Sequence, residues 1–142
     1  MEFVDKIYEG ARKSSKKIIL PEGETLRVLK AVEGILKKGL CLPVLLGDPE
    51  KIRNISKEQG VDINGAEIID NRSGKQLDKY ISLYCEIRKH KKIKEDDAKK
   101  LVSQSPVFYA ALGVRSGDFD GFVAGASTTT RDVAKAAIYW CR

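Results

Sequence analysis

Short apolar runs alternate along the chain with longer segments whose apolar residues recur every three or four positions. Glycines, prolines and acids mark the changes of period. Phe3, Val4, Ile7 and Ala11 share a helical face and predict an amphipathic N-terminal helix closing near the basic run Arg12 to Lys17. Ile18-Ile19-Leu20 is a strand-length run halted by Pro21-Glu22-Gly23. Leu26, Leu29, Ala31, Val32, Ile35 and Leu36 form the inner face of the next helix, with Thr25 placed to cap its start and Gly39 to end it. Leu42 to Leu46 predicts a second strand, followed by Asp48 as cap and Pro49 as first residue of another helix. After a polar loop from Gly60 to Asn64, Ala66 to Ile69 predicts a third strand ending at Asp70-Asn71. A long helix is expected from Gln76 to His90, burying Leu77, Tyr80, Ile81, Tyr84 and Ile87. Two more follow, Glu95 to Val102 and the strongly apolar Pro106 to Val114.

Asp120 to Ala124 reads as a short buried strand. Gly125 then permits a tight turn with close backbone approach, and a hydroxyl run opens a helix through Val133, Ala134, Ala137 and Ile138. Two readings fit this turn. Unpaired backbone N–H groups at a helix N-terminus, with Ser and Thr hydroxyls beside them, suit a phosphate. Thr129 and Asp132 also have capping-box spacing, which needs no ligand. Strands alternating with helices predict an α/β fold, a largely parallel sheet with helices on both faces, whose ligands gather beyond the strand carboxyl ends. Pro21-Glu22-Gly23, Gly47-Asp48 and Gly125 to Thr130 all fall at such ends.

The 142 residues suit one compact domain, with no repeat and no Gly/Ser linker. The net charge of +6 fits either nucleic acid or a pocket for an anionic metabolite. Lysines are spread over most of the predicted helices rather than gathered in one block and no recognition motif is present, so nucleic acid is the weaker option. Cys41, Cys85 and Cys141 are odd in number and widely spaced, which predicts reduced thiols rather than a disulfide frame or a zinc site. No apolar run approaches the roughly 20 residues of a membrane span, and Met1 to Tyr8 is unlike a signal peptide; a cytoplasmic protein is expected. His90 is the only histidine, so no Ser-His-Asp or multi-His metal site forms without it. Arg88-Lys89-His90-Lys91-Lys92 suits a solvated helix end, or a place from which the Arg88 fork reaches an anion held over the sheet. The last helix runs to Tyr139-Trp140-Cys141-Arg142 without a stop signal, which suggests a truncated or continuing chain.

Three stretches in register resemble the N-terminal half of the phosphate acetyltransferase and phosphate butyryltransferase family. They are Leu20-Pro21-Glu22-Gly23-Glu24 with Arg27, Ile87-Arg88-Lys89-His90-Lys91, and Asp120 to Ala126 leading into hydroxyls. The resemblance covers residues 1–142 and about half of the family's usual length, and it implies a missing C-terminal half. It implies a three-layer α/β/α fold like that of isocitrate and isopropylmalate dehydrogenases, usually in a homodimer. The implied reaction is acetyl-CoA plus phosphate to CoA plus acetyl phosphate, with coenzyme A as a substrate and no metal or redox cofactor. Carried over by motif, Arg88 matches a substrate-binding arginine, and Ser127, Thr128, Thr129, Thr130, Arg131 and Lys135 fall on the phosphate-side loop and helix. The family's carboxylate base lies beyond this chain, so no catalytic residue is assigned here. Thr128 and Lys135 stand where the acetyl-specific pattern has His and Arg, which leaves a butyryltransferase, or the related domain fused to some malic enzymes, as alternatives. A different class, a non-catalytic anion-binding or subunit-interaction module on the same fold, also fits.

Overall fold

The computed structural model describes residues 2–140, the side chain of Trp140 excepted. The readings of Cys141 and of the chain end at Trp140 to Arg142 lie outside the described residues. The sheet has four strands, β1 (Lys17–Leu20), β2 (Leu42–Leu46), β3 (Glu67–Ile69) and β4 (Gly121–Phe122), in the order β3-β2-β1-β4. Every pairing is parallel, with Ile19 opposite both Val44 and Phe122, and Leu45 opposite Ile68. Parallel neighbours need a crossover between them, and the intervening helices supply it.

Alternation along the strands then builds two cores. Leu20 and Leu45 point to one face, where they meet Val28, Leu29 and Val32 of α2 (Leu26–Lys38) and Ile52 of α3 (Pro49–Gln59). Ile19, Val44 and Leu46 point to the other. There they meet α4 (Lys75–Ile87), α5 (Glu95–Gln104), α6 (Pro106–Arg115) and Ala136 of α7 (Thr130–Trp140). This is the expected three-layer arrangement. Each fully buried Leu, Ile or Val contributes roughly 1.5–3 kcal/mol. The first three strands step outward from β1 to β3, and the chain returns through α4, α5 and α6 to lay β4 on the free side of β1. The strand order therefore reverses between β1 and β4.

Local signals account for several boundaries. Asp48 Oδ1 accepts from Glu50 N and Lys51 N at 3.0 and 3.3 Å, with Pro49 opening α3. Gly39 closes α2 at φ 61°, donating to the Leu36 carbonyl. Other boundaries differ. Thr25 sits at the start of α2 but makes no side-chain cap; its hydroxyl lies 3.4 Å from that of Ser127. Ala31 is exposed, and Val28 is buried instead. The predicted Gln76 to His90 helix stops at Ile87 and continues as a 3-10 turn, Lys89–Lys91, because no apolar side chain follows Ile87 until Ile93 to keep a buried face. Strand β4 is only two residues long, and as an edge strand it leaves Val123 62% exposed. On α7 the buried position is Ala136, while Ile138 is exposed, so the helix is rotated from the predicted face. The N-terminal helix α1 (Glu2–Ser14) forms, yet buries no residue, and Phe3 is 74% exposed.

Two glycines with opposite surroundings check this packing. A Cβ at Gly113 would lie 2.5 Å from the Phe119 ring, whereas one at Gly34 in α2 would meet nothing within 4 Å. Gly113→Ala is expected to lower unfolding free energy by about 1–3 kcal/mol, and Gly34→Ala to raise it by about 0.5–1 kcal/mol. Urea unfolding of the two variants reads the difference; equal effects would contradict the packing of α6 on Phe119.

Candidate functional site

A cleft of about 770 Å³ opens over the carboxyl ends of the strands. Its walls are the turns after β1 (Pro21, Glu22, Glu24, Thr25), β2 (Gly47, Asp48) and β3 (Asn71, Arg72), together with the last turn of α5 (Ser103, Gln104) and the loop after β4 (Ser127, Thr128). Crevices where strand order reverses are the usual ligand positions in such sheets, because two neighbouring turns diverge there.

At that crevice lies Glu22, only 8% exposed. Its Oε1 accepts from Gly125 N and Ala126 N at 2.7 and 3.0 Å. Its Oε2 accepts from Thr128 N at 2.7 Å, from the Ser127 hydroxyl at 2.8 Å and from Ser127 N. Burial raises the carboxyl pKa, but the bonds from Ser127, Ala126 and Thr128 outweigh it and hold the group down at about 2. Backbone geometry puts the two partners in place. Gly23 N donates to the Leu46 carbonyl at 3.1 Å, and a Cβ at Gly23 would come within 2.6 Å of that oxygen, so only glycine lets the turn press this closely on β2. Gly125 has φ 119°, and a Cβ there would meet nothing within 4 Å, so glycine is required for the turn and not for a close approach.

The backbone donors that suit a phosphate in the sequence are thus filled by a carboxylate of the chain itself. The cap reading is also realised. Thr129 Oγ1 accepts from Asp132 N at 3.3 Å and donates to Asp132 Oδ2 at 2.9 Å, which places a second carboxylate at the N-terminus of α7. Of the residues singled out in the sequence, Ser127 and Thr128 line the cleft. Thr129 is engaged in the cap. Thr130, Arg131 and Lys135 are exposed on α7. Arg88, half-buried after α4, stands with its guanidinium carbon 5.9 Å from the centre of the Tyr139 ring. Tyr139 is near the other end of α7, about 14 Å along the helix from Thr130 at 1.5 Å per residue. Arg88 is not part of the cleft lining.

Several cleft residues were not marked by the sequence. Glu24 accepts from Lys51 Nζ at 2.9 Å and from Asp48 N at 3.0 Å, and the Lys51 bond leads in lowering its pKa. Arg72 bridges Asp70 and Asp48 at 3.0 and 3.3 Å. A position near a strand carboxyl end was the signal they had, and Glu22 and Glu24 also stood in the stretch Leu20 to Glu24 that carries the family resemblance, though without an assigned role. Among the described residues no three His, Cys, Asp or Glu side chains are grouped to hold a metal, and no helix is long and apolar enough to cross a membrane. Cys41 and Cys85 are free thiols, and burial pushes Cys41 up.

The sequence profile described as phosphate acetyl/butaryl transferase matches residues 2–140. A phosphate acetyltransferase of Thermoanaerobacterium thermosaccharolyticum is 39% identical over 137 residues, 96% of this chain and 41% of that protein. One of Clostridium acetobutylicum is 36% identical over 138 residues, 97% of this chain and 41% of that protein. The EutD phosphotransacetylase structure from Staphylococcus aureus superposes with a TM-score of 0.87 at 27% identity, covering 98% of this chain and 42% of that one. The chain thus spans about two fifths of the length of these three relatives.

The Glu22 arrangement sets a pH dependence. Its carboxyl is held below the ordinary 4.5, so its contribution is present above 4.5 and lost as pH falls through about 2. Such a shift corresponds to about 3 kcal/mol. Glu22→Gln is expected to be less stable than the parent by about that much at pH 7, with the gap closing between pH 4.5 and 2. Parallel stability curves in urea unfolding at stepped pH would contradict the hydrogen bonding described.

Proposed function

Because this chain belongs to the phosphate acetyl/butaryl transferase family, we propose that it forms the phosphate-side wall of a phosphate acyltransferase. The match across residues 2–140, with the cleft at the strand-order reversal, is the observation that carries this reading. In the proposed reaction the thiol of coenzyme A attacks the carbonyl of acetyl phosphate. A C–S bond forms, the bond between the acyl carbon and the bridging oxygen breaks while that oxygen stays on phosphorus, the thiol proton goes to a carboxylate base, and phosphate leaves with its charge stabilised by donors and cations. The base belongs to the remaining length of the relatives, and no metal or redox cofactor takes part.

The charges of the cleft define what this wall contributes. Glu22, Glu24 and Asp48 outnumber Lys51 and Arg72 on its lining, and both cations are already paired with carboxylates. The wall therefore supplies hydroxyls and shape. Positive charge for the departing phosphate comes from Arg88, Arg131 and Lys135 on neighbouring elements and from the rest of the protein. Acetyl is the proposed acyl group, supported by the names of the relatives. Butyryl is the second reading, favoured by the profile's own description and by Thr128 and Lys135. A homodimer and a cytoplasmic setting belong to the same reading.

The test is thioester formation from CoA and acetyl phosphate, with butyryl phosphate alongside, using the 142-residue chain and any longer product of the same gene. Turnover is expected from the longer product, faster with acetyl phosphate, and not from the 142 residues alone. Arg88→Ala and Thr128→Ala in the longer product are each expected to lower turnover by roughly 10²-fold, the scale of a lost anion-stabilising donor. No turnover of either acyl phosphate, or unaltered rates in both variants, would overturn the reading.

A further inference from the structure

The amide cluster of Gly125 to Thr128, with the Ser127 hydroxyl, offers five donors converging on one anion, and the chain fills it from within. Glu22 is held there from its own side as well as from the loop's. Thr25 N donates to the Glu22 carbonyl at 3.1 Å, and Gly23 is pressed on the Leu46 carbonyl, so the backbone that carries the carboxylate is itself fixed. A tethered anion of this kind competes with free phosphate at a high effective concentration. It also repels a second anion within a few ångströms, where the local dielectric is low.

We infer that Glu22 is a positioning and specificity-determining residue. Its carboxylate is the permanent resident of the Gly125–Thr128 amides, bars an external oxyanion from them, and so obliges phosphate or acyl phosphate to bind beside them, against the Thr128 hydroxyl on the cleft wall. The part that concerns phosphate placement in turnover rests on the acyltransferase reading; the part that concerns occupancy of the amides does not. Because the carboxyl stays ionised to about pH 2, protonation does not vacate the cluster near neutrality. Gln at this position separates shape from charge. Its oxygen still accepts from Gly125 N and Ala126 N, whereas its NH2 group confronts the donors of Ser127 and Thr128.

The experiment is amide NMR of the isotopically labelled 142-residue chain, titrated with inorganic phosphate. In the parent the four amides of Gly125 to Thr128 are expected to show no saturable shift. In Glu22→Ala they are expected to shift saturably with phosphate, and with formate, which refills the vacated place. A saturable response in the parent, or none in Glu22→Ala, would overturn the inference. Should Glu22→Ala fail to fold, Glu22→Gln decides. Beyond the common fall that Ile19 and Leu45 report for the loss of global stability, exchange protection is expected to fall at least ten-fold at Ser127 and Thr128 and less at Gly125 and Ala126. Equal protection at all four would count against Glu22 as resident. In the longer gene product Glu22→Gln is expected to raise KM for phosphate about ten-fold and leave KM for CoA alone; equal changes in both would contradict the positioning role. If the longer product has no activity at all, the acyltransferase reading fails while the amide titration still stands.

Discussion

A buried carboxylate must find donors, and Glu22 finds all of its donors on a loop more than 100 residues away. That one requirement joins the turn after β1 to the turn after β4 and shapes the crevice between them. It also explains why the surrounding backbone is so constrained. Gly23 is needed where the turn presses on β2, and Gly125 where the loop reverses at φ 119°. Were the carboxylate absent, four amides and a hydroxyl would face the cleft unpaired, and the loop would have no reason to hold its present form.

Electrostatics in the cleft run against the charge of the whole molecule. The chain carries +6, spread over its helix surfaces, while the lining of the cleft has more carboxylates than cations. Glu24 with Lys51, and Arg72 between Asp48 and Asp70, neutralise one another in place and brace the turns after β1, β2 and β3. These ion pairs are partly exposed, so their value is in geometry more than in energy. Overall charge was therefore a poor guide to the chemistry of the site.

Much of the fold was legible because its signals are local. The runs Ile18 to Leu20, Leu42 to Leu46 and Ala66 to Ile69 are each apolar, short and closed by turn residues, and each became a strand of the parallel sheet. Asp48 with Pro49, Gly39 and Pro106 marked helix ends by stereochemistry that needs no partner elsewhere. What depended on distant contacts was lost. The orientation of α7 follows from its packing on α6, and the exposure of Phe3 and Ile7 follows from the lack of a covering layer among the described residues; neither is written in helical spacing. The loop after β4 suited either a phosphate or a simple helix cap in the sequence, and nothing in the local pattern says that its amides are filled by Glu22.

The two-residue strand β4 has a consequence for how the molecule comes together. Strands β1, β2 and β3 meet across short crossovers of neighbouring residues, whereas pairing β4 with β1 closes a loop of about 100 residues. On the usual logarithmic dependence, a closure of that length costs about 4 kcal/mol of chain entropy, set against the short β4 pairing, the hydrogen bonds of Asp120 to Lys17 and of Val123 to Ile19, the burial of Phe119 and the Glu22 bonds. Non-local pairings of this kind slow the folding of a chain as a whole. The cleft is thus bounded by the seam of the sheet that carries the largest closure entropy.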